Sequence, residues 1–272
     1  MTLLPIVLAV AAVAGSFEAG VARTDITPRA PIRLGGYAAR QHPAPGGPAG
    51  RLWAKALAVR SGSGSRMVIV TLDLLRAPRV VVDAVAAEAQ RRHGLGRSEL
   101  LFNASHTHSG PLLWEDDPFP PVPPAEYEEC RRYVQWLTPA LVDLIGAALR
   151  DLSPASLTFA RGTAGFAANR RVPAAGGYQI GYNPAGPVDH RVPVLKVTGA
   201  DDRLRAVLFG YACHNTAIGP ASYDVNGDYA GAAQELIEQA HPGATALFLQ
   251  LAAGDQDPHP RGDRDAADRH GR

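Results

Sequence analysis

Short apolar runs alternate along the chain with turns rich in glycine, serine and proline, and each run has the length of a β-strand. Strands are expected after residue 16 and at residues 52–59, 67–74, 100–102, 157–165, 192–197, 204–213 and 244–251. Longer segments that space their apolar residues as amphipathic helices do are found at 80–93, 127–149 and 230–240. This alternation predicts an α/β fold with mixed sheets and surrounding helices in a single large domain.

Two of the predicted helices contain residues that indicate where a helix ends or bends. Residues 80–93 have one apolar face, and Gly94 follows them at the position where glycine ends many helices. The strand at 100–102 comes shortly afterwards, which predicts a β-α-β unit. Pro139 lies inside the segment 127–149 and predicts a kink or a break into two helices at that point.

The two ends of the chain differ from its middle. Residues 1–14 are almost entirely apolar and end in Ala12-Val13-Ala14, the small-residue pattern that precedes a signal-peptide cleavage site. We therefore expect a signal peptide and a secreted or periplasmic protein; the alternatives are a misplaced start codon or a buried N-terminal segment in a cytoplasmic protein. Residues 261–272 are charged and lack apolar periodicity, which predicts a disordered tail. The folded domain is then expected over residues 15–260.

Composition excludes several functional classes. The chain has 272 residues, of which 46% are hydrophobic and 19% charged, and these values are typical of a globular protein. Its 27 basic and 26 acidic residues give a net charge of +1, so no electrostatic signal indicates a nucleic-acid partner. The two cysteines, Cys130 and Cys213, are too few for a disulfide framework and form no Cys-x-x-Cys zinc motif.

Polar residues with catalytic potential follow three of the predicted strands. His106 and His108 follow the first, His214 the second, and Asp255 and Asp257 the third. In an extended chain residues two apart share a face, so the first two imidazoles are placed to bind a metal such as zinc. Their spacing alone fits a pair of surface histidines equally well. Because ligands of α/β sheets bind outside the carboxyl ends of strands, the three strand ends together favour a site.

The motifs at these strand ends occur in the order of a known family. The chain resembles the catalytic N-terminal domain of the neutral/alkaline non-lysosomal ceramidases, and the resemblance covers nearly all of residues 16–260. The most specific matching segment is Ser105-His-Thr-His-Ser-Gly-Pro111. Weaker matches are Ala19–Pro28, Leu34-Gly-Gly-Tyr37, Ala54–Leu57, Ile69–Asp73, Asn169-Arg170, Cys213-His-Asn-Thr216, Gly227-Asp-Tyr229 and Gly254-Asp-Gln-Asp-Pro258.

The resemblance implies a zinc-dependent amidohydrolase that cleaves the N-acyl bond of ceramide-like sphingolipids, or a related N-acyl substrate. By the same resemblance His106 and His214 are the zinc ligands. His108 matches a histidine that contacts substrate or supports the ligands, and Arg170 matches an arginine that lines the reaction pocket, where a structural ion pair is its alternative role. The implied partner is a lipid, with peripheral membrane contact. The resemblance leaves the oligomeric state open.

The chain departs from the family pattern at the third strand end. Asp257 stands where the ceramidases carry a serine, and His259 stands where they carry an asparagine. The role of the serine is therefore not carried over, although Asp257 keeps a position in the expected pocket. A related amide or ester substrate stays open.

The ligand set implied by the resemblance is incomplete in this chain. The remaining zinc ligands of the family, a glutamate and a tyrosine, fall beyond the aligned segments, so we expect a truncated family member. Catalytic zinc usually has three protein ligands. Candidates for the third are His108, Asp228, Asp255 and Asp257. The rival functions are an inactive, lipid-binding module and, less well supported, a two-metal phosphoesterase.

Two further aspartates have open roles. Asp73 follows a predicted strand, and it either orients a ligand histidine or stabilises a loop. Asp228 lies in Gly-Asp-Tyr, where it either supports a ligand or belongs to a turn.

Overall fold

The computed structural model describes residues 8–12, 16–45, 50–113 and 123–272. Its strands are β1 (Leu8–Ala12), β2 (Phe17–Asp25), β3 (Trp53–Ser61), β4 (Arg66–Leu72), β5 (Leu100–Ala104), β6 (Ser153–Thr163), β7 (Ala167–Ala174), β8 (Gly177–Asn183), β9 (Arg191–Gly199), β10 (Leu204–Tyr211), β11 (Thr245–Gln250) and β12 (Gln256–Pro258). Its α-helices are α1 (Arg79–His93), α2 (Pro124–Arg150), α3 (Asp228–Ala240) and α4 (Arg264–Gly271). Each helix and strand predicted from apolar spacing has its counterpart, and the mixed α/β fold is confirmed.

One large mixed sheet forms the frame of the molecule. Its strands lie in the order β11-β10-β9-β6-β2-β3-β4-β5, and β1 pairs with β6 beside this path. Most neighbours are antiparallel, but β4 with β5 and β10 with β11 are parallel. The parallel pairs are connected through α1 and α3 respectively, because parallel neighbours need a crossover. The predicted β-α-β unit is therefore confirmed, and α1 ends as expected at a left-handed Gly94, with φ of 61°.

The large sheet curves so that its two end strands meet. The side-chain Nδ2 of Asn103 on β5 donates to the carbonyl of Gln250 on β11 at 3.1 Å, and the Gln250 amide donates back to Asn103 Oδ1 at 2.8 Å. This pair of bonds replaces a backbone ladder between the end strands. It also brings the carboxyl ends of β5 and β11 side by side, which places the residues after them at one site.

Helices α1 and α2 cover one face of the sheet. The contact residues of α2 include Leu137, Leu141 and Ile145, all fully buried and spaced four residues apart. Pro139 lies on the exposed side of α2, and the helix continues through it from Pro124 to Arg150. Of the two expectations for Pro139, the break into two helices is therefore wrong.

A second, three-stranded sheet was not predicted from the sequence. It has the order β12-β7-β8, and β7 and β8 form a hairpin that stands out from the large sheet. Residues of β8 are exposed on both faces, so its alternating apolar residues Tyr178, Ile180 and Tyr182 are not part of a core. Strand β12 carries Asp257 and pairs with β7 opposite Ala168.

The prediction of a disordered tail at residues 261–272 is wrong. Residues Arg264–Gly271 form α4, which packs against α3, and the side chains of Ala266 and Ala267 are buried. Asp263 caps the helix by accepting a hydrogen bond from the Ala266 amide at 3.3 Å. The charged composition concealed this helix because two alanines suffice for its contact face.

Several sequence expectations fall on residues that the structure does not describe. The expected signal peptide covers residues 1–14, of which residues 1–7 and 13–14 lie outside the described ranges and residues 8–12 form β1. The acidic run at residues 115–117 also lies outside them. Among the described residues, no helix has both the length and the apolar character needed to cross a bilayer.

Candidate metal centre

His106 enters the site through an unusual backbone conformation. Strand β5 ends at Ala104, and His106 has a φ of 61°, in the left-handed region that few non-glycine residues adopt. The extended geometry expected for His106 and His108 is therefore wrong, although the two rings do converge, with centroids 5.1 Å apart. The His106 amide donates to the Leu74 carbonyl at 3.0 Å, and its Nδ1 donates to the Leu75 carbonyl at 2.8 Å.

His214 follows the end of β10, and its ring, like that of His106, is fixed by a backbone carbonyl. Its ring is buried, and its Nδ1 donates to the carbonyl of Ala253 at 2.9 Å. Its backbone amide donates to the Gln256 carbonyl at 2.9 Å, which ties the end of β10 to the segment after β11. The Nε2 atoms of His214 and His106 face each other at 3.0 Å.

The tautomers of these two histidines follow from their partners. A carbonyl only accepts, so each Nδ1 carries a proton and each neutral ring presents a lone pair at Nε2. Burial lowers the pKa of both rings, which disfavours a proton between them. Two lone pairs 3.0 Å apart repel each other unless a cation lies beside them. The donor set therefore fits a metal ion such as zinc, which binds imidazole nitrogens and often has ligand histidines held by backbone carbonyls.

His108 completes a cluster of three imidazoles. The metal-binding atoms of His106, His108 and His214 all lie within 4.8 Å of one another. Both ring nitrogens of His108 are buried and have no hydrogen-bond partner among the described residues, an arrangement that is rare for buried polar atoms. Burial, with the neighbouring histidines and arginines, lowers the pKa of His108 to about 2, so the ring is neutral and open to a ligand.

Backbone and aromatic contacts fix the position of His108. The ring meets the edge of Tyr37 with centroids 4.7 Å apart, and Gly36 lies against it with a φ of 91°. The buried guanidinium of Arg40 donates to the carbonyls of His108, Gly35 and Ser222. The Leu34-Gly-Gly-Tyr37 motif was visible in the sequence, whereas nothing there indicated Arg40.

Arg170 and Asp257 form an ion pair beside the histidines. Arg170 Nη1 donates to Asp257 Oδ1 at 3.1 Å, and Arg170 Nε donates to the Gly254 carbonyl at 3.1 Å. The Arg170 charge also lowers the pKa of both His106 and His214, which places it in the same electrostatic environment. A second arginine, Arg261, approaches Asp257 Oδ2 at 3.7 Å and was missed because it belongs to the segment expected to be disordered.

Asp73 and Asp228 support the backbone around the site. The Asp228 carboxylate accepts hydrogen bonds from the amides of Ala217, Ile218 and Tyr229, and so holds the loop that follows His214. Burial raises its pKa to about 6 against the effect of these donors. Asp73 accepts from the Trp53 amide and from Gln234 and has no hydrogen bond to either facing histidine. Backbone carbonyls, rather than carboxylates, orient His106 and His214.

A family model confirms the resemblance that the motifs indicate. Residues 17–268 match the model of neutral/alkaline non-lysosomal ceramidase, N-terminal. The chain belongs to this ceramidase family. A comparison with curated proteins gave no match.

Two solved structures share the fold of this ceramidase-family chain. The neutral ceramidase from Pseudomonas aeruginosa has a TM-score of 0.76 and 23% identity, over 94% of this chain and 43% of that one. A ceramidase complexed with C2 has a TM-score of 0.78 and 23% identity, over 94% of this chain and 42% of that one. The chain thus spans less than half the length of these two structures.

Proposed function

We propose that this ceramidase-family chain is a metal-dependent hydrolase that cleaves the N-acyl amide bond of ceramide-like sphingolipids or a related amide. The observation that carries the proposal is the pair of facing Nε2 atoms of His106 and His214, which only a cation satisfies at neutral pH. Family membership supports the choice of substrate.

In this proposal His106 and His214 hold zinc through Nε2, while the Leu75 and Ala253 carbonyls fix their rings. When bound, the metal supplies an activated water and polarises the scissile carbonyl. The neutral ring of His108 has one N–H without an acceptor in the part of the chain that the structure describes, and in this proposal it donates to the developing oxyanion. The alternative role for His108, a third ligand, uses the same free ring nitrogens.

Arg170 is proposed as a second group that stabilises negative charge in the pocket. Its guanidinium is held on two sides, by Asp257 and by the Gly254 carbonyl, and is therefore oriented before substrate arrives. Asp257 acts in this proposal by holding Arg170. Its carboxylate has Arg170 and Arg261 on its two oxygens, an arrangement that favours this positioning role.

A second candidate function is lipid binding without turnover. The observation that favours it is Asp257, which stands where the family carries a serine and is engaged by two arginines. A module of this kind keeps the fold and the apolar substrate contacts while lacking one catalytic group.

Hydrolysis of a short-chain N-acylsphingosine in detergent micelles separates the two functions. We expect turnover to fall by at least about 100-fold after chelation and to return with zinc, because one metal supplies both water activation and carbonyl polarisation. Lipid binding with no turnover in the zinc-loaded protein would establish the second candidate. Turnover that chelation leaves unchanged would contradict both the metal and its proposed ligands.

We also propose that the protein is exported with removal of residues 1–14. The sequence Ala12-Val13-Ala14 supports cleavage before Gly15, whereas the pairing of β1 with β6 supports the alternative of a retained N-terminal segment. Intact mass measured on protein recovered from the periplasm or medium is expected to correspond to a chain that begins at Gly15. Recovery in the cytoplasm of a chain that retains residues 1–14 would contradict export.

A further inference from the structure

An exposed apolar stripe runs along the hairpin of β7 and β8. Tyr178, Ile180 and Tyr182 lie at alternate positions of β8, and 72%, 68% and 56% of their respective surfaces are exposed. Alternate residues of a strand project to the same side of a sheet. Contiguous apolar side chains on a projecting hairpin are uncommon on a soluble surface and indicate an interaction site.

The charged residues of the hairpin segment itself are all basic. Between Asp151 and Asp189 the chain contains three arginines and neither aspartate nor glutamate. One of them, Arg171, is the cross-strand partner of Ile180, so both side chains project from the same face of the hairpin. Arg171 donates to the Gly254 carbonyl, and no carboxylate pairs with it in the described part of the chain. The face therefore combines tyrosine, isoleucine and an uncompensated positive charge.

Contacts with β12 connect the hairpin to residues beside the candidate metal centre. Arg170 on β7 donates its backbone amide to the Asp255 carbonyl and pairs with Asp257 on β12. Tyr182 at the end of the stripe stacks on His259, two residues after Asp257, with ring centroids 4.1 Å apart. The hairpin that carries the stripe is thus connected through β12 to Arg170 and Asp257, the ion pair beside the histidines.

We infer that the β7–β8 hairpin docks on the surface of an anionic lipid bilayer. Tyrosine is enriched at bilayer interfaces because its ring is apolar and its hydroxyl remains hydrated. Isoleucine enters the acyl boundary, and a basic side chain is attracted to anionic headgroups. The inference goes beyond the proposed hydrolysis and is independent of it, because docking requires neither metal nor turnover.

Vesicle co-sedimentation of the full chain tests the hairpin. The probes are phosphatidylcholine vesicles with and without about one third phosphatidylglycerol. The double variant Tyr178→Ser, Ile180→Ser is expected to bind the anionic vesicles at least about tenfold more weakly than the wild type. The variant Arg171→Gln is expected to lose about fivefold on anionic vesicles and little on neutral ones, and added salt is expected to reduce that difference.

The matched control removes two exposed apolar side chains elsewhere. Val80 on α1 and Leu236 on α3 are 42% and 36% exposed, and the double variant Val80→Ser, Leu236→Ser is expected to bind vesicles like the wild type. Equal losses in both double variants, or no vesicle binding by the wild type, would overturn the inference. Self-association of the wild type that only the hairpin variant abolishes would overturn it in favour of a second copy. Zinc content and micellar turnover, measured on the same samples, report separately on the proposed hydrolysis.

Discussion

Replacing His106 or His214 with alanine is expected to remove zinc from the protein. Each residue contributes one of the two facing Nε2 atoms, and loss of either leaves a single well-oriented donor. Because changes to groups that merely support a metal ligand weaken affinity by about 10- to 100-fold, loss of the ligand itself is expected to weaken it by at least about 100-fold. Metal content after zinc loading and dialysis, measured by mass spectrometry, checks this.

The stability of the same variants, measured with and without zinc, distinguishes a metal site from a structural contact. In metal-free protein His106→Ala loses the hydrogen bond to the Leu75 carbonyl but also removes the repulsion between the two lone pairs, so the free energy of unfolding is expected to change little. With zinc at about 100 times its dissociation constant, the wild type gains about 2.7 kcal/mol of stability and the variant gains almost nothing. A metal-free variant that is strongly destabilised would contradict the site and indicate a structural role for the pair.

A matched control is provided by His241, an exposed histidine outside the cluster. His241→Ala is expected to retain zinc and the stability that zinc confers. The variant His108→Ala then assigns the third imidazole: retained zinc with lost turnover identifies an oxyanion donor, whereas lost zinc identifies a third ligand. Zinc retained in full by both His106→Ala and His214→Ala would refute the proposed centre.

The positions of the site residues were predictable where apolar runs stop at polar residues. Strands β5 and β10 are mainly apolar runs, and the residues that follow them, His106 and His214, meet because the large sheet brings their carboxyl ends together. The sequence did not reveal how they meet. The left-handed φ of His106 and the carbonyls that fix the two tautomers depend on backbone geometry and on residues distant in sequence.

The features missed in the sequence share a physical origin. The β7–β8 hairpin buries neither face fully, so its alternating residues Tyr178, Ile180 and Tyr182 are not part of a buried face, and they follow a glycine-rich turn that is typical of a loop. Helix α4 is recognisable only through its packing on α3, since two buried alanines are too few to give a periodic pattern. Arg40 is a buried cation whose partners are carbonyls from three separate segments, and an isolated arginine in a loop carries no local signal of that role.

Substituting alanine for Gly36 is expected to displace His108 and to damage both stability and function. A Cβ at Gly36 would lie 2.3 Å from His108 Cγ and 2.5 Å from its Nδ1, far inside van der Waals contact. Gly36 also has a φ of 91°, which by itself makes alanine unfavourable by about 1 kcal/mol. Overpacking adds about 1–3 kcal/mol, so we expect a total loss of about 2–4 kcal/mol in the free energy of unfolding, measured with urea.

The control separates the backbone strain from the contact with His108. Gly243 has a φ of 93° and no atom within 4 Å of its hypothetical Cβ, so Gly243→Ala carries the strain without the clash. It is expected to lose only about 1 kcal/mol and to keep full turnover. In a His108→Ala background the two shortest contacts, with Cγ and Nδ1, vanish and the 2.8 Å contact with Cβ remains, so Gly36→Ala is expected to be less destabilising there than in the wild type. Equal losses for Gly36→Ala and Gly243→Ala would show that the loop yields without moving His108, and the positioning role of Gly36 would then be refuted.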